Sequence, residues 1–178
     1  MAQLDVGKKG RGIKVIVGTG DIASVLVDRK GFCFFASGVS NSQETRESEY
    51  KRERMLLMEQ RKDLKLVYFS SLDALDGKSR YYQHKREMEE LVKKGFRYHT
   101  IIRLGNITWG KNPHTIINSM KKIHEKGVEL EIRDVYRYLV DKADFLYWIS
   151  KIPKWNCEIS ITGKRMKVKD LVEEYVYD

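Results

Sequence analysis

Residues 13–17 read Ile-Lys-Val-Ile-Val, a β-branched run that meets Gly18-Thr19-Gly20-Asp21-Ile22-Ala23 with nothing between. That junction constrains the fold more than any other feature. A short apolar run ending at glycine reads as a buried central strand. A G-x-G-x-x-A turn directly after it reads as the opening of a helix that cradles phosphate. Gly18 permits the tight turn, Gly20 lets a pyrophosphate approach the backbone, and the small Ala23 lets helix and strand pack closely. The free N–H groups of the helix start would face the anion.

Downstream, strand-like segments at 31–36, 64–70, 98–104, 128–132 and 158–161 alternate with helix-like ones at 44–62, 79–94, 112–126, 140–152 and 168–177. This order predicts an α/β fold with a Rossmann-like, mainly parallel sheet and helices on both faces. No flexible linker or repeat divides the 178 residues, so one core is expected. We divide the chain into an N-terminal extension at 1–12, a Rossmann-like core at 13–110 whose glycine turn suits a nucleotide, and a small C-terminal region at 111–178 packed on the same core. Open parallel sheets take ligands beyond the carboxyl ends of their strands, which makes Ser70-Ser71 functional ground.

Hydrophobic residues at 42% and charged ones at 33% exclude a disordered chain. No apolar run approaches the roughly 18–20 residues that span a bilayer, and residues 1–14 hold no apolar secretory core, so the cytoplasm is expected. The net charge of +9 suits nucleotide phosphates or other anions. Basic residues are spread along the chain with no nucleic-acid-binding motif, so nucleic acid is not the favoured partner. Cys33 and Cys157 lack metal or redox spacing and read as buried free thiols. His84, His99, His114 and His124 share no ligand spacing, so no metal is predicted and most are expected to be exposed or helix-capping.

Tyr81 and Lys85 stand four residues apart on one predicted helix, which makes them neighbours on one face. A cation beside a phenol favours the phenolate and lowers its pKa enough for proton exchange with a sugar hydroxyl or carbonyl. The same spacing also suits a lysine snorkelling beside a half-buried tyrosine.

The order of motifs resembles the extended short-chain dehydrogenase/reductase superfamily, closest to its NAD-dependent nucleotide-sugar epimerase and dehydratase branch, in shortened form. Ala36-Ser37-Gly38-Val39-Ser40-Asn41 is similar to the loop after that family's fourth strand, and Val67-Tyr68-Phe69-Ser70-Ser71 to its serine-bearing strand. Tyr81 and Lys85 fall on its catalytic pair, and Arg103-Leu104-Gly105-Asn106-Ile107-Thr108-Trp109-Gly110 resembles its segment at nicotinamide and substrate. The resemblance implies NAD or NADP as cofactor, held by Gly18, Thr19, Gly20, Asp21, Ile22, Ala23, Ala36, Ser37, Gly38, Lys85, Leu104 and Asn106. It implies catalysis by Tyr81 and Lys85 with Ser70 or Ser71, and a nucleotide-sugar-like substrate contacted by Ser40, Asn41, Asp73, Arg103 and Asn106. It also implies a homodimer through helices near 47–61 and 80–94.

Four departures accompany the resemblance. The family's second and third strands are missing, and no carboxylate follows strand 31–36 to hold an adenosine ribose. Either Ser, Asn or Arg46 accepts a phosphorylated ribose there, or the adenosine pocket is altered. Leu72 stands where the family has its catalytic Ser/Thr, leaving Ser71 one position early, and Leu104 replaces a proline. Two further readings therefore stand beside the enzyme: a catalytically silent module that binds a nucleotide or a protein, and a basic nucleic-acid binder.

Overall fold

The computed structural model describes residues 15–177, so the extension at 1–12 and strand positions 13–14 lie outside the described residues. β1 (Ile16–Val17), β2 (Phe32–Phe35), β3 (Lys65–Ser71), β4 (His99–Leu104) and β7 (Cys157–Ile161) form one parallel sheet in that spatial order. The register sets Ile16 beside Phe34, Phe34 beside Val67, Val67 beside Thr100 and Thr100 beside Cys157.

Strands β2 to β4 bury both faces, as central parallel strands must. On one face Phe32, Phe34, Val67, Phe69, Ile102 and Leu104 pack under Leu26 and under Phe145 and Ile149 of α4 (Lys142–Ser150). On the other, Cys33, Phe35, Leu66, Tyr68 and Ile101 pack against Leu57 of α1 (Glu47–Met58) and Met88 and Val92 of α2 (Arg80–Gly95). Burial pushes the Cys33 thiol up to about 11, so this cysteine stays protonated. Cys157 is only half-buried.

Beyond β4 the chain builds a second, three-stranded sheet from β5 (Asn106–Ile107), β6 (Tyr136–Val140) and β8 (Lys164–Lys167), with β6 and β8 antiparallel. Helices α3 (Ile116–Glu125) and α5 (Val168–Tyr175) cover it through a separate cluster that includes Ile117, Leu139, Met166 and Leu171. The expected single core is thus two sheet faces and a satellite.

Two sequence expectations are corrected. Residues 128–132 form no strand: of the alternating Val128, Leu130 and Ile132, only Leu130 packs on the satellite core, while Val128 and Ile132 are exposed. The strand lies at Tyr136–Val140 instead, where Asp141 caps α4 by accepting the Asp144 N–H at 2.7 Å. The helix expected after the glycine turn is a three-residue 3₁₀ turn, Ala23–Val25, and the chain then runs extended from Leu26. Arg29 pins this return, stacking over Phe32 at 4.1 Å and donating to the Ile152 carbonyl at 3.3 Å. None of the described helices is long and apolar enough to cross a membrane.

Candidate active site

A cleft of about 710 Å³ opens beyond the carboxyl ends of β1 to β4. Its walls carry Thr19 to Ile22 of the glycine turn, Phe35 to Ser40 from the end of β2 onward, Ser70 to Asp73 from the end of β3 onward, Tyr81 and Lys85 of α2, and Leu104 to Ile107. The far wall is Tyr136, Arg137 and Tyr138 of β6, with Asn112 and His114 to Ile116, none of which the motifs had pointed to.

Gly18 has φ +129, and an added β-carbon would overlap the Ala36 carbonyl oxygen, so this glycine serves the close packing of the turn on β2. Gly18 and the buried Ala23 are not among the cleft-lining residues and serve the packing of the turn. Gly20 has nothing within 4 Å of where a β-carbon would stand, so its backbone is open to the cleft. Asp21 is bound to the chain itself: its carboxylate accepts the Lys111 N–H at 3.0 Å and the Asn112 N–H at 2.9 Å. Asn112 also donates to Ser40 Oγ at 3.0 Å, so loop 109–112 ties the glycine turn to the loop after β2.

Three other expected site residues are engaged elsewhere. Ser70 donates to Glu89 Oε1 at 2.6 Å and is buried, which leaves its exposed-side neighbour Ser71 as the free hydroxyl on the wall. Arg103 lies between Glu89 at 2.5 Å and Glu158 at 2.7 Å and does not line the cleft. Its alternation on β4 sends it to the α2 face, because the neighbouring Ile102 and Leu104 take the opposite face. Asn41 also stays outside, accepting the Gln43 N–H at 3.0 Å in a local turn. Asp73 lines the cleft beside Tyr82, and Asn106 holds the Tyr138 carbonyl at 3.3 Å.

Tyr81 and Lys85 do face the same cleft, but their electrostatics differ from the sequence expectation. Lys85 Nζ lies 3.3 Å from Glu53 Oε1 and 3.3 Å from the Tyr68 hydroxyl, and 5.6 Å from the Tyr81 ring centre. Burial, then the charge of Glu53, push the Tyr81 phenol above its ordinary range, overturning the expected lowering by Lys85. His84 is fully buried and lies 3.0 Å from Glu53 through Nε2, which corrects its expected exposure. No motif marks Glu53, yet its signal is legible: it stands between Tyr50 and Leu57 on the inward stripe of α1.

Burial opposes ionisation of Glu53, but the Lys85 ammonium, the His84 contact and the Val39 N–H outweigh it and hold the carboxyl at about 2. A folded pKa below the unfolded one contributes stability that is present above the unfolded value and lost as pH falls through the folded one. Urea unfolding midpoints should therefore fall steeply between pH 4.5 and about 2, and Glu53→Gln should flatten that fall. An unchanged slope in the variant would show that other carboxylates govern acid stability.

Together the parallel sheet, the glycine turn after β1 and the cleft at the strand ends define a shortened Rossmann-type fold. Solved structures of NAD-dependent nucleotide-sugar epimerases and dehydratases share it. A dTDP-glucose 4,6-dehydratase from Bacillus anthracis in complex with NAD superposes with TM-score 0.61 at 15% identity, covering 80% of this chain and 55% of that one. A UDP-glucuronic acid 4-epimerase from Bacillus cereus gives 0.61 at 15%, covering 79% and 56%. A UDP-glucose 4-epimerase from Thermotoga maritima, with UDP-glucose, gives 0.59 at 15%, covering 82% and 62%. The chain spans 55% to 62% of the length of these three structures. The sequence matches no protein-family model and none of the curated proteins compared with it. At these identities the likeness establishes the fold alone.

Proposed function

We propose that the cleft binds a nucleotide-sugar-like molecule together with NAD or NADP, and that Tyr81 gives a proton to an oxygen of that molecule. The observation that carries this reading is the meeting of Thr19 to Ile22, Ser71, Tyr81 and Lys85 on the walls of one cleft. The pyrophosphate end of a dinucleotide suits the open backbone at Gly20, and Leu104 and Asn106 would line its nicotinamide end. The adenosine end has no carboxylate after β2 to hold an unmodified ribose, which keeps NADP alongside NAD.

When bound, the dinucleotide supplies hydride transfer. This chain's residues supply the rest. Burial and Glu53 hold the proton on the Tyr81 phenol, which gives it up only as an oxygen of the bound molecule gains negative charge and becomes the stronger base. Ser71 donates a second hydrogen bond there, and Lys85 fixes the ligand's orientation. In the same proposal, 13–110 is the nucleotide-binding core and 111–178 the substrate-type region. Two copies pair through α1 and α2, where Met55 and Met58 are exposed.

The ultraviolet spectrum and native mass of freshly purified protein, followed by calorimetric titration with NAD, NADP and UDP-glucose, test this directly. Heat is expected with at least one dinucleotide, and none at millimolar concentration overturns the reading. Tyr81→Phe should keep binding but lose about 10²- to 10⁴-fold in turnover. The Glu53–Lys85 pair favours a second reading, a catalytically silent nucleotide-binding module, in which Tyr81→Phe leaves function unchanged.

A further inference from the structure

Glu53 is fully buried on α1, and its two oxygens take four contacts. The Val39 N–H donates at 2.7 Å, the Tyr68 hydroxyl at 2.8 Å, and His84 Nε2 and Lys85 Nζ lie at 3.0 and 3.3 Å. A carboxylate offers about four acceptor positions, so this one is filled. Lys85, 3.3 Å from it, is itself almost wholly buried, at 3% exposure. Of its three N–H groups, one goes to Glu53 and one to Tyr68, and the third has no acceptor among the described residues. Gly38 lies directly on the pair: a β-carbon there would come 2.8 Å from Lys85 Nζ and 3.0 Å from Glu53 Oε1.

This arrangement does two things to a lysine that walls the cleft. It ties the ammonium to the bend at Gly38 and Val39, so loop and lysine hold one position. It also sets a full negative charge against the ammonium in a region that water does not screen. A phosphate would meet a neutralised pair there, whereas a hydroxyl or carbonyl oxygen needs only the remaining N–H.

We propose that Glu53 is a positioning residue that holds Lys85 and cancels its charge, so that this point of the cleft selects a neutral sugar oxygen and rejects a phosphate. The assignment deepens the proposed function and rests on it for the identity of the ligand.

Glu53→Gln keeps the side-chain shape and removes the charge. In the folded variant, inorganic pyrophosphate is expected to bind about tenfold more tightly than to the wild type, since a net cation then faces the cleft. Titration calorimetry reads the change, and the near-ultraviolet circular dichroism reports the fold. Pyrophosphate binding that does not tighten in a natively folded variant overturns the proposal. A urea double-mutant cycle with Lys85→Met gives a second measurement, and where Glu53→Gln alone fails to fold, recovery of folding in the double variant takes its place. The double variant should lose clearly less stability than the sum of the single losses, because each single change strands a buried charge. Simple additivity means that Glu53 serves the loop and not Lys85, and overturns the assignment. The cycle needs no ligand, so it separates failure here from failure of the wild type to bind dinucleotide, which would sink only the functional reading.

Discussion

Arg103→Met is expected to destabilise the protein by about 3–5 kcal/mol, the usual consequence of leaving a buried carboxylate without its cation. Arg103 Nε and Nη2 hold Glu89 at 3.1 and 2.5 Å, and Nη2 also reaches Glu158 at 2.7 Å. Without it, Glu89 keeps the Ser70 hydroxyl at 2.6 Å as its remaining short partner, at 3% exposure. The unfolding midpoint in urea measures the loss. Glu89→Gln added to Arg103→Met should restore part of it, since the stranded charge is then gone. The result also decides between two roles. A substrate contact would lower ligand affinity with stability changed by less than about 1 kcal/mol, the range of an exposed polar side chain, and that outcome would reinstate the role the motif suggests.

The second large effect separates two glycines that look alike in the turn. Gly18→Ala should cost about 2–5 kcal/mol, combining a left-handed backbone with overlap against a main-chain carbonyl that has no side chain to yield. The relevant observations are φ +129 and the Ala36 carbonyl beneath it. Gly20→Ala should change stability by less than about 1 kcal/mol, because its surroundings are empty to 4 Å. Its expected effect is on NAD or NADP binding, since a methyl group would stand where phosphate meets backbone. Urea unfolding and calorimetric titration of both variants distinguish the cases. Gly18→Ala of wild-type stability would mean that the turn can reopen away from β2.

The strands that the alternation and β-branched runs mark are those whose burial is symmetric. Phe32 to Phe35 and Lys65 to Ser71 place side chains on two covered faces, so continuous apolar runs identify them from composition alone. Helix α2 is equally legible, because Ser79 accepts the Tyr82 N–H at its start and the chain stops at Gly95. The C-terminal half is harder. β6 carries exposed Tyr136 and Tyr138 and β8 is Lys-Arg-Met-Lys, so neither shows the apolar run of a buried strand. Each exists because the other pairs with it, Tyr138 beside Arg165 and Arg137 beside Met166.

The candidate site divides in the same way. Tyr81 and Lys85 could be found from i, i+4 spacing on one helix, and the glycine turn from its place after a strand. The state of the lysine could not, because Glu53 lies on another helix and meets Lys85 only after α1 and α2 have packed side by side on the sheet. Ser70 and Arg103 likewise lose their expected roles to Glu89, which their own strand neighbours do not announce.

By itself, then, the sequence determined the parallel α/β class, strands β2, β3, β4 and β7, helices α1 and α2, and the shared helix face of Tyr81 and Lys85, because hydrophobic period and local glycine chemistry act over a few residues. Only the tertiary structure decided that the turn is followed by no true helix and that Lys85 is paired with Glu53. It also decided that Ser71, not Ser70, offers a free hydroxyl. These depend on charges and hydrogen bonds between residues far apart in the chain, whose strength is set by the burial that folding creates.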